Sequence, residues 1–196
     1  MTQKIIVCWC PLAWKSTFSN KICKEIGLSH IPTDGFISAF ENSFPNLGIS
    51  HKNVVSVDTW KKVADKVYPF LKSFIEELDD QNIYWGYLIE WFHIDVEKVA
   101  KDFWKTHKIF VFWYPRISEQ EKVWIIRKYD TNNWTNEVED LDLQGHVKLF
   151  LELGKYYESV CKTNSIEFID TSYDRNWEIE KLIKKTISGK ATFPLS

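Results

Sequence analysis

Lys4-Ile5-Ile6-Val7-Cys8-Trp9-Cys10-Pro11-Leu12-Ala13-Trp14-Lys15-Ser16-Thr17 is the segment from which the architecture can be read. Lys4 to Cys8 is a short, mainly apolar run rich in β-branched residues, the pattern of a strand buried on both faces. A loop follows. Ser16 to Ile26 then carries helical spacing, and Gly27 stands where a helix is commonly ended by a left-handed residue.

The same strand–loop–helix unit recurs down the chain. Further strands are expected at Ser29–Ile31, Ile83–Glu90, Lys108–Trp113 and Ile166–Ile169. Asp58 is the expected N-cap of a long helix to Leu78, with Val63, Val67, Phe70, Leu71, Phe74 and Ile75 at helical spacing. Asp95 caps a short helix to Trp104. Ser118-Glu119-Gln120-Glu121 is a capping box that opens a helix to Tyr129. Helices are also expected over Glu139–Cys161 and Trp177–Ile187, while residues 36–57 read as a long irregular connection, a kind often tied to function. Alternating strands and helices predict an α/β fold: a five-stranded parallel sheet with helices on both faces, in one domain spanning 1–196. Ligands of such sheets sit beyond the carboxyl ends of the strands. That selects the corners at 9–16, 32–36, 90–94, 113–118 and 170–175.

Composition narrows the function. The net charge of −2 comes from an even balance of 25 basic and 27 acidic residues, so nothing marks a nucleic-acid or anionic-membrane partner. No apolar run approaches the roughly 20 residues of a membrane span, and the N-terminus lacks the pattern of a signal peptide. Cys8, Cys10, Cys23 and Cys161 have no zinc spacing and are expected as buried thiols, consistent with a cytoplasmic protein. The anomaly is Trp 10 against Gly 7, where average usage would give roughly fourteen glycines.

The first corner holds that anomaly. Between strand and helix, G-x-x-x-x-G-K-[ST] is the phosphate-cradling Walker A pattern. Lys15 and Ser16 occupy its last two positions, but Trp9 and Trp14 occupy its two glycines. Backbone N–H groups must curl closely around phosphate oxygens there, which a residue without Cβ allows and an indole obstructs.

In the order of its strands, helices and motifs, nearly the whole chain resembles the P-loop nucleoside and nucleotide kinases of the adenylate-kinase-like group. Tyr87-Leu88-Ile89-Glu90-Trp91-Phe92-His93 is similar to that group's apolar run followed by Asp-Gly-Phe-Pro-Arg, with Trp91 at the Gly position. In Phe112-Trp113-Tyr114-Pro115, Trp113 again stands where similar sequences carry Gly. Random divergence would scatter several residue types over these sites. Some bacteria read the codon UGA as Gly, while other codes read it as Trp. On that reading Trp9, Trp14, Trp91 and Trp113 are glycines in the native protein, and UGG at codons 9 and 14 would refute it. The alternative is a diverged, catalytically inactive kinase-like binding or regulatory module.

The resemblance implies ATP-dependent phosphoryl transfer with Mg²⁺ to a nucleotide or small-molecule acceptor, by a monomer or small homo-oligomer with a small lid. It places the nucleotide phosphates on Trp9, Cys10, Pro11, Leu12, Ala13, Trp14, Lys15, Ser16 and Thr17. Lys15 would bridge the β- and γ-phosphates, Ser16 would ligate Mg²⁺, and Glu90 would reach the metal through water. Asp34 would take the proton of the acceptor hydroxyl or orient the metal; the Asp34-Gly35 pair alone also reads as a turn. Arg127, and then Arg116, would act from a lid-like region over about 116–136. Residues 36–57 would shape the acceptor side, and Asp170-Thr171-Ser172 would lie near the base. The arginine that would hold an AMP phosphate is replaced by Ile94, which argues against adenylate kinase activity itself.

Overall fold

The structure, a computed structural model, describes residues 3–10, 13, 15–81, 86–129 and 134–188. Five strands form one sheet: β1 (Lys4–Trp9), β2 (Ser29–Pro32), β3 (Tyr87–Trp91), β4 (Lys108–Trp113) and β5 (Glu167–Asp170). Their order is β2-β3-β1-β4-β5, and every pairing is parallel. The apolar run quoted above is therefore the central strand. Val7 lies between Glu90 and Phe110, and Cys8 between Trp91 and Val111. Ile5 to Cys8 are fully buried, as a strand flanked on both edges and covered on both faces must be.

The connecting helices are α1 (Lys15–Ile26), α2 (Asp34–Ser43), α3 (Val57–Asp80), α4 (Val96–Phe103), α5 (Glu119–Tyr129), α6 (Asp140–Thr163) and α7 (Arg175–Ile187). Helices α1 and α7 pack together, and α6 packs on α3 and α4, giving the two outer layers. Gly27 ends α1 with φ +71°, and Leu28 N–H returns to the Cys23 carbonyl at 3.0 Å, closing the helix in a Schellman turn. Helix α5 joins α6 through a separate small apolar cluster of Val123, Ile126, Leu143 and Val147. This gives α5 and the start of α6 their own packing.

Two expectations need correction. Residues 36–57 are not irregular throughout: Asp34–Ser43 is helical, followed by single 3-10 turns at Pro45–Leu47 and His51–Asn53. The N-cap of α3 is Ser56 rather than Asp58. Its hydroxyl accepts from Thr59 N–H while the Thr59 hydroxyl accepts from Ser56 N–H, a reciprocal capping box that Asp58, inside the first turn, cannot make. The expected strand start at Ile83 lies outside the described residues. Among the described residues no helix is long and apolar enough to cross a membrane. All four cysteines are free and buried.

Candidate functional site

The carboxyl ends of the strands meet at one edge of the sheet. At its centre, β1 leads into a turn closed by Ala13 N–H to the Cys10 carbonyl (3.0 Å), and Cys10 N–H holds the Phe112 carbonyl at 3.1 Å. Helix α1 begins at Lys15 and has no acidic residue in its first turn, so its leading N–H groups and positive dipole end favour an anion. Pro11, Leu12 and Trp14, with the side chains of Lys15 and Ser16, lie outside the described residues. Trp9 is 8% exposed, its ring 6.1 Å from Phe92 at the end of β3. Its indole therefore packs beside the end of β3, at the last residue of β1.

On the β3 side, Thr33 ties the second corner to the third: its N–H and its hydroxyl both donate to the Glu90 carbonyl, at 3.1 and 2.7 Å. Asp34 then opens α2. Glu90 is 2% exposed, and its Oε2 accepts from the Ser19 hydroxyl at 2.7 Å and faces His30 Nε2 at 3.1 Å. A carboxylate buried this deeply must be partnered, and it is. Trp91, fully buried, meets Phe36 edge-on at 5.5 Å. Ile94, at the position of an acceptor-binding arginine, is core, and its carbonyl accepts from the Tyr157 hydroxyl at 2.6 Å.

On the β4 side, Trp113 is also fully buried and donates from Nε1 to the Phe150 carbonyl at 2.6 Å. Arg116 is clamped between Asp170 at the end of β5 and Glu158 on α6, and these carboxylates raise its already high pKa further. Its backbone N–H meets the Ser172 hydroxyl at 2.9 Å, and Thr171 caps the Trp113 carbonyl, so the fourth and fifth corners are joined. Arg127 binds Asp140 at 2.9 Å and the carbonyls of Thr135 and Val138, fastening α5 to the approach to α6. The structure thus gathers Trp9, Cys10, Thr33, Asp34 and Glu90 around the β1 and β3 ends. Both arginines are held by partners farther out. Among the described residues no three His, Cys, Asp or Glu side chains are arranged to hold a metal ion.

Sequence reasoning missed His93. It lies just beyond β3, is 1% exposed, and stands 4.9 Å from His51 ring to ring. Its place two residues past the strand end was a usable signal.

No protein-family model and no curated protein sequence matches the chain. Solved structures do. A shikimate kinase from Acinetobacter baumannii in complex with shikimate superposes with a TM-score of 0.54 and 14% identity, over 98% of this chain and 97% of that one. A shikimate kinase from Bacteroides thetaiotaomicron gives 0.51 and 11% identity, over 97% and 99%. The fold is that of a P-loop kinase. In folds of this class ligands bind beyond the carboxyl ends of the strands.

Proposed function

We propose that the chain is an ATP-dependent phosphotransferase acting on a hydroxyl of a small-molecule or nucleotide acceptor. One observation carries this reading: Lys15 and Ser16 open α1 directly after the central strand of an all-parallel β2-β3-β1-β4-β5 sheet. MgATP, when bound, would supply the phosphoryl group and the metal charge that offsets negative charge on the phosphates. Lys15 would bind the β- and γ-phosphates, Ser16 would hold the magnesium, and Thr17 would contact the α-phosphate, with the loop at 9–16 as cradle. Ser19, the partner of Glu90, is three residues beyond Ser16 and so on the same helix face. Glu90 would reach a metal held by Ser16 through water. Asp34 would take the proton of the acceptor hydroxyl as its oxygen attacks the γ-phosphorus and the bond from that phosphorus to the β,γ-bridging oxygen breaks, releasing ADP. Arg127 and Arg116 would serve from the lid region on release of their carboxylate partners. The protein works in the cytoplasm, as a monomer or small homo-oligomer.

The glycine reading belongs to this proposal, because Trp9 puts an indole at a position of the phosphate-loop pattern that calls for a residue without Cβ. The same observation favours the second reading, a kinase-like binding or regulatory module without turnover. The test compares the chain as written with one carrying Gly at 9, 14, 91 and 113, measuring MgATP-dependent turnover over a panel of acceptors. The proposal expects turnover in the glycine chain and its loss, by about 10²-fold or more, in that chain with Lys15→Ala. No turnover by the glycine chain supports the module.

A further inference from the structure

His93 is a buried polar side chain whose ring nitrogens, Nδ1 and Nε2, both lack a hydrogen-bond partner among the described residues. Buried polar groups in folded proteins are almost always satisfied, so two orphaned atoms on one ring call for an explanation outside the chain's own side chains. His93 is not isolated. One side of its ring meets Phe92 at 4.5 Å, and the other meets His51 at 4.9 Å. His51 sits in the 3-10 turn His51–Asn53 with its outer edge exposed, near enough to Asp34 and Glu41 to feel both charges. The pair therefore runs from the buried end of β3 to solvent, alongside the carboxylate proposed as base.

Charge restricts what this pair can take. The three arginines are Arg116, Arg127 and Arg175, so residues 1–115 contain none. Lys52 pairs with Glu41 at 3.2 Å, and Lys66 donates to the Leu47 carbonyl at 2.9 Å. With Asp34 and Glu41 close by, a phosphate or carboxylate on the acceptor would meet negative charge and no guanidinium. Burial holds His93 neutral, pushing its pKa down to about 3, with His51 adding to the effect. Burial also holds His51 below its ordinary value against the opposing pull of Asp34 and Glu41. A neutral imidazole offers one N–H and one bare nitrogen, and a hydroxyl group likewise both donates and accepts.

We infer that His93 and His51 form the acceptor-recognition pair of this site and select an uncharged polyhydroxyl compound, of the sugar, polyol or nucleoside class, over phosphorylated or carboxylated acceptors. The inference rests on the kinase reading for the acceptor's fate, but binding by the pair can be tested without it.

The decisive measurement follows the ring ¹⁵N resonances of His93 and His51 in the full chain during titration with matched probes: ribose against ribose 5-phosphate, adenosine against AMP, and glycerol against glycerate. The expected result is a saturable shift of the His93 nitrogens with at least one neutral member and none with its charged counterpart. His93→Gln, which keeps a donor and an acceptor, should bind that probe about tenfold more weakly, and His93→Leu should abolish the shift of His51. MgATP turnover on the same probes is measured in parallel with the chain carrying Gly at 9, 14, 91 and 113. Neutral probes that shift His93 without turnover uphold the pair and refute the kinase reading. Turnover confined to charged acceptors upholds the kinase reading and overturns the inference. So does His93→Leu that folds more stably and binds the neutral probe unchanged, which would mean that a structural water satisfies the ring. Failure of every neutral probe to move either histidine also overturns it.

Discussion

At the residue scale, Gly154 and Trp113 define one another. A Cβ added at 154 would lie 2.5 Å from Trp113 Cδ1 and 3.3 Å from Pro115 Cβ, so the missing side chain on α6 is the space the indole occupies. In the sequence Gly154 is only a small residue in a helix, where glycine is unfavourable relative to alanine; its reason is Trp113, 41 positions earlier in the chain and in contact in space. Gly154→Ala should cost about 1–3 kcal/mol by overpacking, and Trp113→Gly about 3–5 kcal/mol through the cavity and the lost bond to Phe150. In the Trp113→Gly background, Gly154→Ala should cost nothing, and urea melts of the four chains measure that coupling. Trp113 is therefore the position where the glycine reading is most exposed to refutation. Trp91 differs, being buried with its Nε1 unpartnered among the described residues, so its removal sacrifices no hydrogen bond.

At the scale of elements, helices with a full apolar stripe were legible and α2 was not. Asp34-Gly35 reads locally as a turn, and Ser38, Asn42 and Ser43 are weak helix formers. What selects the helix is packing: Phe36 meets Phe74 and Trp91 edge-on, and Phe40 meets Phe70 at 4.6 Å. Such partners, on α3 and β3, do not show in a local window. The opposite end of the sheet has a comparable hidden network. Lys4 pairs with Asp79, Asp79 accepts from the Tyr87 hydroxyl at 2.5 Å, and that hydroxyl accepts from His107 Nε2 at 2.7 Å. His107 Nδ1 is then left to accept from the Thr106 hydroxyl at 2.9 Å, the arrangement of a neutral ring. Burial pushes its pKa down to about 4, outweighing the pull of Asp79 and assisted by Lys4. The unfolded chain binds this proton near pH 6.5 and the folded chain does not, so stability is full above 6.5 and is lost as pH falls toward 4. The loss from this group is about 3 kcal/mol, and it levels off below 4. Urea melts between pH 4 and 7 should show a shallower acid limb for His107→Gln than for the unaltered chain. An identical limb would mean the ring is charged in the folded protein.

At the scale of the whole molecule, strand–helix alternation gave the parallel sheet, and the corners gave the edge to which the proposed site is assigned. The order β2-β3-β1-β4-β5 is a set of long-range pairings that no local pattern encodes. Nor could Arg116 and Arg127 be located beyond their segments, because their partners Glu158, Asp170 and Asp140 come from later elements. One consequence of the architecture tests the site without any acceptor. A ligand that binds only the folded state stabilises it by RT ln(1 + [L]/Kd), about 2.7 kcal/mol at a hundredfold excess over Kd. For a domain of this size that raises Tm by roughly 5–10 °C. The chain with Gly at 9, 14, 91 and 113 should show this rise with MgATP and lose it with Lys15→Ala. The chain as written, with an indole at position 9, should show none. An equal shift in both chains would mean that an indole after β1 does not obstruct a triphosphate, and the steric basis of the glycine reading would fall while the phosphate site stood.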